Sequence, residues 1–327
     1  MRVLLVKTSS LGDVVHNLPV ATDLARRFPG LTIDWVVEEA FADIPRLHPA
    51  VDTVIPVAVR RWRKALVRRS SWTEIGDFRR RLRARDYDAV IDTQGLLKSA
   101  LIARQSRLAP GGRRGGHDRT SAREPVAARF YDRGYPIPRS LHAVERNRRL
   151  AAAIMGYAPD GPCDYGIAAS PLDASWLSQA AAGRPYAVLL TATSRPAKEW
   201  PEAHWRTLLD DLDRRGWTAV LPGGNAAELG RAARLAAAAP PHVAAPAMGL
   251  ADLAGLLAGA RAVVGVDTGL VHLAAALGRP TVAIFRASDP ALTGVYGGSL
   301  AVNLGGPGTP PEPGVVVAAL DRLADRP

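Results

Sequence analysis

The alternation of short β-branched runs with helix-length segments is the feature that most constrains the fold of this 327-residue chain. In the first half, such runs lie at residues 3–6, 32–37, 53–57 and 89–92. In the second half, they lie at residues 187–190, 218–221, 262–266 and 281–285. Strands that alternate with helices form parallel sheets, because the connecting helix returns the chain to the start of the next strand. The sequence therefore predicts an α/β protein with two doubly wound sheets in tandem.

A stretch rich in proline and glycine separates the two halves of the chain. Residues 158–171 include Pro159, Gly161, Pro162 and Pro171, which interrupt regular structure. A chain of this length is also long enough for two domains of about 150 residues each. We therefore predict an N-terminal domain over residues 1–165 and a C-terminal domain over residues 166–327.

Four segments give further expectations about secondary structure. Apolar residues at helical spacing predict one helix over residues 14–28. Residues 108–121 combine glycines with arginines, which predicts a mobile loop. Another helix is predicted from residue 122. Residues 313–325 predict a closing helix that packs on its own domain or back on the first one.

The charge of the chain is unevenly distributed. It has 42 Lys and Arg residues against 31 Asp and Glu residues, a net charge of +11. The whole excess lies in the first domain, since the second has equal numbers of basic and acidic residues. A basic domain indicates an anionic partner: nucleic acid, a phosphorylated substrate or an acidic membrane surface. Nucleic acid is the less favoured of these, because only Trp62 and Trp72 interleave with the basic cluster and no recognition motif accompanies it.

Several classes of protein are disfavoured. The single cysteine, Cys163, excludes an internal disulfide and fits a reducing compartment. The apolar run at residues 3–6 is too short for a signal peptide. The long uncharged stretch at residues 290–311 is too rich in Gly and Pro to form a membrane helix. We expect a protein that is soluble or lies on a membrane surface.

Three familiar motifs do not fit. Gly12 is the one glycine in the loop after the first strand, whereas dinucleotide folds need three, and the Gly-Lys-Ser/Thr of a P-loop is missing. Two Asp-x-Asp pairs, at residues 86–88 and 211–213, lie before a strand and inside a helix, so we interpret them as surface charge. The seven histidines form no cluster with metal-ligand spacing, which predicts no metal site.

Loops that follow strands carry the remaining candidates, because ligands bind at the carboxyl ends of parallel strands. Asp13 lies at a helix start, either as an N-cap or as a general base facing an interdomain cleft. Lys198, the one lysine after residue 165, follows a strand and could stabilise a phosphate-bearing leaving group. Asp267 caps a strand-to-helix turn in which the Thr268 and Gly269 amides can approach phosphate.

Other candidates have two interpretations each. His272 is either a further donor near that phosphate or a core histidine, and Glu228 either accepts a ribose hydroxyl or complements a helix dipole. The basic cluster at residues 60–64 follows the strand at 53–57, an arrangement that suits an acidic acceptor. The arginines at 79–85 are interpreted as a solvated helix face.

In combination, several blocks resemble the heptosyltransferase I family of lipopolysaccharide synthesis, which are inverting glycosyltransferases of the GT-B architecture with two Rossmann-like domains. The blocks are residues 2–13, 34–39, 60–64, 87–95, 122–125, 142–146, Lys198 and 266–272. Two places differ from the expected family pattern: Gly223 stands for a bulky residue such as tryptophan, and Arg286-Ala287 stands for Gly-Pro. The acceptor-side blocks resemble the first heptosyltransferase more than the second, which is the main alternative.

The resemblance implies transfer of L-glycero-D-manno-heptose from ADP-heptose to a Kdo sugar of Kdo2-lipid A, without a metal or other cofactor, at the cytoplasmic face of the inner membrane. It implies that Asp13 deprotonates the acceptor hydroxyl and that Lys198 stabilises the departing ADP. The implied donor-binding residues are Thr193, Ser194, Lys198, Glu228, Met248, Asp267, Thr268, Gly269 and His272. The implied acceptor-binding residues are Arg60, Arg61, Arg63, Lys64 and Arg123.

Overall fold

The computed structural model describes residues 1–65, 67–193 and 195–324. The chain divides into two compact units, Met1–Ile167 and Ala168–Pro327. No helix in the described ranges is both long and apolar enough to span a bilayer.

The N-terminal unit is built on a parallel sheet, which over the described residues has six strands in the order β3-β2-β1-β4-β5-β6. The strands are β1 (Arg2–Val6), β2 (Thr32–Glu38), β3 (Val51–Val57), β4 (Asp86–Asp92), β5 (Arg107–His117) and β6 (Arg133–Tyr135). The α-helices are α1 (Leu11–Val15), α2 (Leu18–Arg27), α3 (Asp43–Arg46), α4 (Val59–Lys64), α5 (Arg69–Leu82), α6 (Leu97–Gln105) and α7 (Ala143–Met155). Short 3-10 helices cover Glu39–Phe41 and Pro125–Phe130.

The C-terminal unit repeats this plan, with the strand order β12-β11-β10-β7-β8-β9 across the part that the structure describes. Its strands are β7 (Tyr186–Leu190), β8 (Thr218–Leu221), β9 (Val243–Ala244), β10 (Ala262–Val266), β11 (Thr281–Phe285) and β12 (Ala301–Gly305). Its helices are α8 (Ser175–Ala181), α9 (Glu202–Arg214), α10 (Ala226–Ala237), α11 (Leu250–Gly259), α12 (Gly269–Ala276), α13 (Pro290–Thr293) and α14 (Pro313–Ala324), with a 3-10 helix at Pro196–Lys198.

Both sheets therefore have the doubly wound order 3-2-1-4-5-6 when their strands are numbered within each unit. Their central strands are buried on both faces, which explains why the sequence shows continuous apolar runs there rather than alternation. The predicted fold class, two doubly wound α/β sheets in one chain, is confirmed.

The closing helix α14 lies in the C-terminal unit. It packs on α9 and β11, where its Val316 and Leu320 join Trp205 and Leu212 in one buried cluster. These side chains are almost fully buried, so they supply much of the apolar contact on that side of the sheet.

The helix predicted over residues 14–28 is two helices, α1 and α2. Val14, Leu18 and Ala21 are buried as the apolar spacing predicts, but the helix is interrupted at residues 16–17. Pro19 explains the interruption, because proline has no N–H to donate within a continuous helix and is tolerated in the first turn of a new one. The consequence for the site is that Asp13 lies on its own short helix.

The mobile loop predicted at residues 108–121 is wrong, because β5 occupies most of it. Its glycines serve close packing rather than flexibility. A Cβ atom on Gly115 would lie 2.5 Å from Ile154 Cγ1, and one on Gly116 would lie 2.3 Å from the Tyr131 ring. The buried Arg114, which directly precedes them, donates hydrogen bonds to the carbonyl of Ala103 in α6 and to that of Ser106 just after it. The helix predicted from residue 122 is limited to the 3-10 helix Pro125–Phe130.

The glycine contacts can be tested by substitution. Gly116→Ala forces its new methyl group against the Tyr131 ring, and overpacking of this kind typically costs roughly 1–3 kcal/mol. Gly76→Ala is the matched control, since the nearest atom to its new Cβ is Arg80 Nη1 at 3.9 Å and alanine favours a helix. We expect a lower melting temperature for Gly116→Ala and an equal or higher one for Gly76→Ala. The opposite order would contradict this packing.

Candidate active site

In each sheet, the strand order reverses beside the first strand, so the loops after two neighbouring strands diverge at the carboxyl edge. In the N-terminal unit these are the loops after β1 and β4, and in the C-terminal unit the loops after β7 and β10. Most of the candidate residues lie in or next to these four loops.

Asp13 lies in the first turn of α1. Ser10, not Asp13, is the N-cap, so the predicted N-cap role is wrong by three positions. The Asp13 carboxylate reaches back to Ser10, accepting from its N–H at 2.9 Å and its hydroxyl at 3.2 Å. Both of these hydrogen bonds are accepted by the Oδ2 atom of Asp13, and Arg123 Nη1 lies 3.6 Å from the same oxygen. The Asp13 side chain is 28% exposed, and among the described residues its Oδ1 atom accepts no hydrogen bond.

The loop that leads to Asp13 is held by Gln94, which follows β4. The buried side-chain oxygen of Gln94 accepts hydrogen bonds from the N–H groups of Thr8 at 3.0 Å and Ser9 at 3.1 Å. Gln94 is itself oriented by its own N–H, which donates to the Asp92 carboxylate at 2.8 Å. Tyr131 donates to the other oxygen of Asp92 at 2.7 Å. Burial raises the pKa of Asp92, and these donors oppose that rise.

Lys7 is a buried cation beneath the same loop. Its ammonium donates to the Thr93 carbonyl at 2.8 Å and to the Asn147 side-chain oxygen at 3.3 Å. Asn147 in turn donates to the carbonyl of His16 at the end of α1, at 3.1 Å. Burial lowers the pKa of Lys7 to about 8, although the nearby Asp13 and Asp92 carboxylates act in the opposite direction. Lys7 thus links both loops and α7 to the helix that carries Asp13.

The basic cluster lies on α4, just beyond the carboxyl end of β3. Arg61 is already neutralised, since it contacts the carboxylates of Glu39 at 2.9 Å and Glu74 at 2.8 Å. The exposed Arg63 and Lys64 have no ion pair among the described residues, and Arg60 lies over the Phe41 ring. The residues of this cluster therefore differ in their availability to a ligand, because Arg61 is already bound by two carboxylates of the same unit.

Lys98 is a further cation at this edge that the sequence prediction did not include. Its ammonium donates to the Ser9 hydroxyl at 2.9 Å. Burial lowers the pKa of Lys98, and Arg60 and Arg63 are near enough to lower it further. Lys98 therefore extends the basic cluster toward the Asp13 loop.

In the C-terminal unit, the structure brings four predicted residues together. The Lys198 ammonium lies 2.5 Å from Asp267 Oδ2, and His272 Nε2 lies 3.6 Å from Asp267 Oδ1. The Thr193 hydroxyl donates to the Asp267 carbonyl at 3.1 Å. The N-cap of α12 is Thr268, one residue beyond the predicted position at Asp267. The Thr268 and Gly269 amides therefore open α12 next to this group, as an anion site at a helix start requires.

Ser288, which follows β11, also donates to Asp267 Oδ2 and was missed by the sequence prediction. Burial alone would raise the pKa of Asp267, but the contacts from His272, Lys198 and Ser288 outweigh it and hold that pKa well below its usual range. Asp267 is therefore ionised at any ordinary pH. Its charge is matched by the Lys198 ammonium beside it.

The segment that carries Lys198 is held by contacts of the residues that follow it, Glu199 and Trp200. Arg286 donates to the Glu199 carbonyl at 2.7 Å, and Arg231 forms an ion pair with the Glu199 carboxylate. Trp200, fully buried, donates its indole N–H to the Pro311 carbonyl at 2.9 Å. Arg286, which lies at one of the two places that differ from the expected family pattern, thus supports the Lys198 segment in this chain.

The remaining donor-side candidates lie along the same carboxyl edge. Glu228, in the first turn of α10, accepts from the Gly224 N–H at 2.8 Å. Gly223 has no room for a side chain, because a Cβ atom there would lie 2.6 Å from the Leu229 nitrogen. Met248 lies, half-buried, in the loop after β9. Ser194 lies outside the described residues.

The two Asp-x-Asp pairs agree only in part with their interpretation as surface charge. Asp86 and Asp88 are exposed as predicted, whereas Asp211 is buried and paired with Arg214 at the end of α9 and with Arg215 just after it. Within the described ranges, no group of three or more His, Cys, Asp or Glu side chains could hold a metal ion.

Two doubly wound parallel units in one chain match the GT-B architecture of solved heptosyltransferase structures. Residues 75–312 match glycosyltransferase family 9 (heptosyltransferase), and the chain belongs to this family. The resemblance to heptosyltransferases is thereby confirmed.

Individual proteins that this chain resembles are also heptosyltransferases by name. The chain is 53% identical to lipopolysaccharide heptosyltransferase 1 of Pseudomonas aeruginosa over 91% of this chain and 82% of that one. It is 48% identical to the Escherichia coli K12 protein of the same name over 91% of both chains. The structure of E. coli heptosyltransferase WaaC with ADP is similar, with a TM-score of 0.89 and 44% identity over 99% of this chain and 100% of that one.

The buried ammonium of Lys7 has a consequence for stability. Because its pKa is about 8 in the folded protein and 10.5 ordinarily, the unfolded chain binds more protons between those values, and stability rises with pH. We expect the urea midpoint of the wild type, relative to that of Lys7→Met at each pH, to increase from about pH 8 to about pH 10. A difference that stays constant or falls over this range would contradict the lowered pKa.

Proposed function

We propose that this heptosyltransferase transfers L-glycero-D-manno-heptose from ADP-heptose to a Kdo residue of Kdo2-lipid A. The observation that carries the proposal is the Lys198–Asp267 pair at the start of α12, beside amides that can hold a diphosphate. The high identity to proteins named lipopolysaccharide heptosyltransferase 1 supports the choice of sugar and acceptor.

Asp13 is the proposed general base. Its Oδ1 atom accepts no hydrogen bond among the described residues, so it can take a proton while Oδ2 remains bound to Ser10. In a single displacement, the acceptor oxygen attacks the anomeric carbon as its proton passes to Asp13. The bond from the anomeric carbon to the diphosphate oxygen breaks at the same time, and ADP departs with its electron pair. The configuration at the anomeric carbon is inverted.

Lys198 is proposed to stabilise the departing ADP. An ammonium has three donors, and one of them is directed to Asp267, which leaves the others for diphosphate oxygens. Ser194 and the Thr268 and Gly269 amides add further donors around developing negative charge, and the Thr193 hydroxyl can join them by exchanging its bond to the Asp267 carbonyl. These groups supply the electrostatic stabilisation that a metal ion would otherwise provide, and we propose a reaction that needs no cofactor.

The other donor-side residues are assigned by chemistry. The carboxylate of Asp267 would repel phosphate, so it more readily accepts hydrogen bonds from heptose hydroxyls while keeping Lys198 and His272 in place. Glu228 accepts a ribose hydroxyl through the oxygen that does not bind Gly224. Met248 provides a half-buried apolar surface beside the adenine.

The basic edge of the N-terminal unit is proposed to bind the acceptor. Kdo carboxylates and lipid A phosphates carry negative charge, and arginine binds both groups bidentately. Arg60, Arg63, Lys64 and Arg123 are exposed and suited to this role, whereas Arg61 contributes by fixing α4 through Glu39 and Glu74. Residues 1–165 then form the acceptor domain and residues 166–327 the donor domain.

The protein works in the cytoplasm, in peripheral contact with the inner membrane, and without nucleic acid.

An assay of ADP release tests the proposed specificity. Purified protein is given ADP-heptose with Kdo2-lipid A or with the mono-heptosylated product, and parallel reactions use other nucleotide sugars. We expect fast release with ADP-heptose and Kdo2-lipid A and little with the other pairs. Preference for the mono-heptosylated acceptor would identify a second heptosyltransferase instead and overturn the proposed acceptor.

Substitutions separate the roles of Asp13 and Lys198. General-base catalysis is typically worth about 10²–10⁴-fold, so Asp13→Ala and Asp13→Asn should lower kcat within that range and leave ADP affinity unchanged. Asparagine keeps the hydrogen bond from Ser10, which removes loss of the helix start as an explanation. Lys198→Ala should lower both ADP affinity and kcat.

Asp252→Ala is the matched control for Asp13, because Asp252 is an exposed carboxylate in the first turn of α11. It should keep normal turnover. Near-normal turnover in Asp13→Asn would refute the assignment of the base, and unchanged ADP affinity in Lys198→Ala would remove Lys198 from the donor site.

A further inference from the structure

The strongest charge on the molecule lies in one short segment, residues 60–83. This segment contains ten Lys or Arg residues and two acidic ones, so it carries +8 of the chain's net +11. Both acidic residues are already paired, Glu74 with Arg61 and Asp77 with Arg80. The proposed acceptor site uses only the first part of the segment, on α4. The arginines of α5 have no part in it.

The helix α5 has a buried face and an outward face of different chemistry. Ser71, Phe78 and Leu82 are buried toward the N-terminal unit, where Phe78 packs on Trp62. At 100° per residue, the opposite side of the helix and its borders present Thr73, Asp77, Arg69, Trp72, Gly76, Arg79, Arg80 and Arg83. The last four of these surround a shallow depression in the surface. The outward face is therefore basic at both ends, with one tryptophan near its start and with Asp77 paired to Arg80.

Exposed apolar side chains lie at the same end of α5. Trp72 is 61% exposed and Val67, in the turn between α4 and α5, is 98% exposed. This turn is held by hydrogen bonds, because the Ser71 hydroxyl donates to the Ala65 carbonyl at 2.8 Å and the Arg68 N–H donates to the same carbonyl at 3.0 Å. Two exposed apolar groups, Val67 just before α5 and Trp72 in its first turn, lie close in sequence to Arg68 and Arg69, and this combination requires a physical explanation.

We infer that the outward face of α5, with the turn before it, is the surface that docks this protein on an anionic lipid bilayer. Tryptophan favours the interface between lipid headgroups and acyl chains, and arginine side chains extend their charge to headgroup phosphates. Each basic residue near an anionic surface contributes about 1 kcal/mol, or about a fivefold gain in affinity. The combination of charge and exposed apolar groups favours lipid over nucleic acid, which would stack bases on several aromatic side chains.

This inference deepens the proposed function, because a lipid-borne acceptor is met at a bilayer, and it concerns residues outside the acceptor site. It also separates two tasks within one basic segment. The α4 cluster would recognise the acceptor headgroup, while α5 would hold the protein at the surface.

Vesicle flotation without donor or acceptor tests the inference apart from catalysis. The vesicles contain phosphatidylcholine with or without phosphatidylglycerol. We expect the wild type to float with the anionic vesicles and not with the neutral ones. Arg69→Gln/Arg79→Gln/Arg83→Gln should bind anionic vesicles roughly 100-fold more weakly, and Trp72→Ser should bind several-fold more weakly. Both variants should keep the wild-type melting temperature, since the replaced side chains are exposed.

Matched controls exclude a simple effect of net charge or hydrophobicity. Arg27→Gln/Arg104→Gln/Arg129→Gln removes three exposed arginines elsewhere on the same unit, and Leu101→Ser removes an exposed apolar side chain from α6. Both controls should bind like the wild type. An equal loss in the control triple variant, or undiminished binding in the α5 triple variant, would overturn the inference. Loss of duplex-oligonucleotide binding with unchanged vesicle binding would also overturn it, in favour of a nucleic-acid surface.

Activity on a detergent-dispersed acceptor distinguishes this inference from the proposed function. The α5 triple variant should match the wild type on dispersed acceptor and fall behind it on acceptor embedded in vesicles. If the wild type fails on every acceptor but floats as expected, the proposed function is wrong and the lipid surface remains. If the α5 variant loses activity equally on dispersed acceptor, α5 belongs to the acceptor site and the inference fails.

Discussion

The parallel orientation of the strands in both sheets is the constraint on which the rest of the structure depends. Parallel strands bring all their carboxyl ends to one edge, and a reversal of strand order opens space between two adjacent loops at that edge. In the N-terminal unit the reversal between β1 and β4 brings Gln94 against the Thr8–Ser9 backbone. In the C-terminal unit the reversal between β7 and β10 brings Lys198 against Asp267. The same topology thus builds two chemically different sites.

The two sites differ in how their charges are balanced. At the C-terminal edge, the buried carboxylate of Asp267 is matched by Lys198, so neither charge is left uncompensated inside the protein. At the N-terminal edge, Arg63 and Lys64 are exposed and unpaired among the described residues. Exposed cations cost little desolvation and attract anions over a distance.

The sequence predicted the central strands well and the glycine-rich region badly, for one physical reason. Buried parallel strands are continuous apolar runs, and those are visible locally. Gly115 and Gly116 look like loop residues until Ile154 and Tyr131 are known to press on them from later in the chain. In the same way, Gln94, Lys98 and Ser288 carry no local signal, because each binds a group at least 21 residues away.

Residue order alone was sufficient to determine the fold class, the uneven charge and which loops follow strands, because these depend on periodicity and composition. Tertiary structure decided which of those side chains meet. Asp13 lies in the first turn of α1, where Ser10 donates to its carboxylate. Arg61 forms a structural ion pair with Glu39. Lys198 and Asp267, which are 69 residues apart in sequence, bind each other. Strand register and packing set those distances, and neither can be read from the neighbours of a residue along the chain.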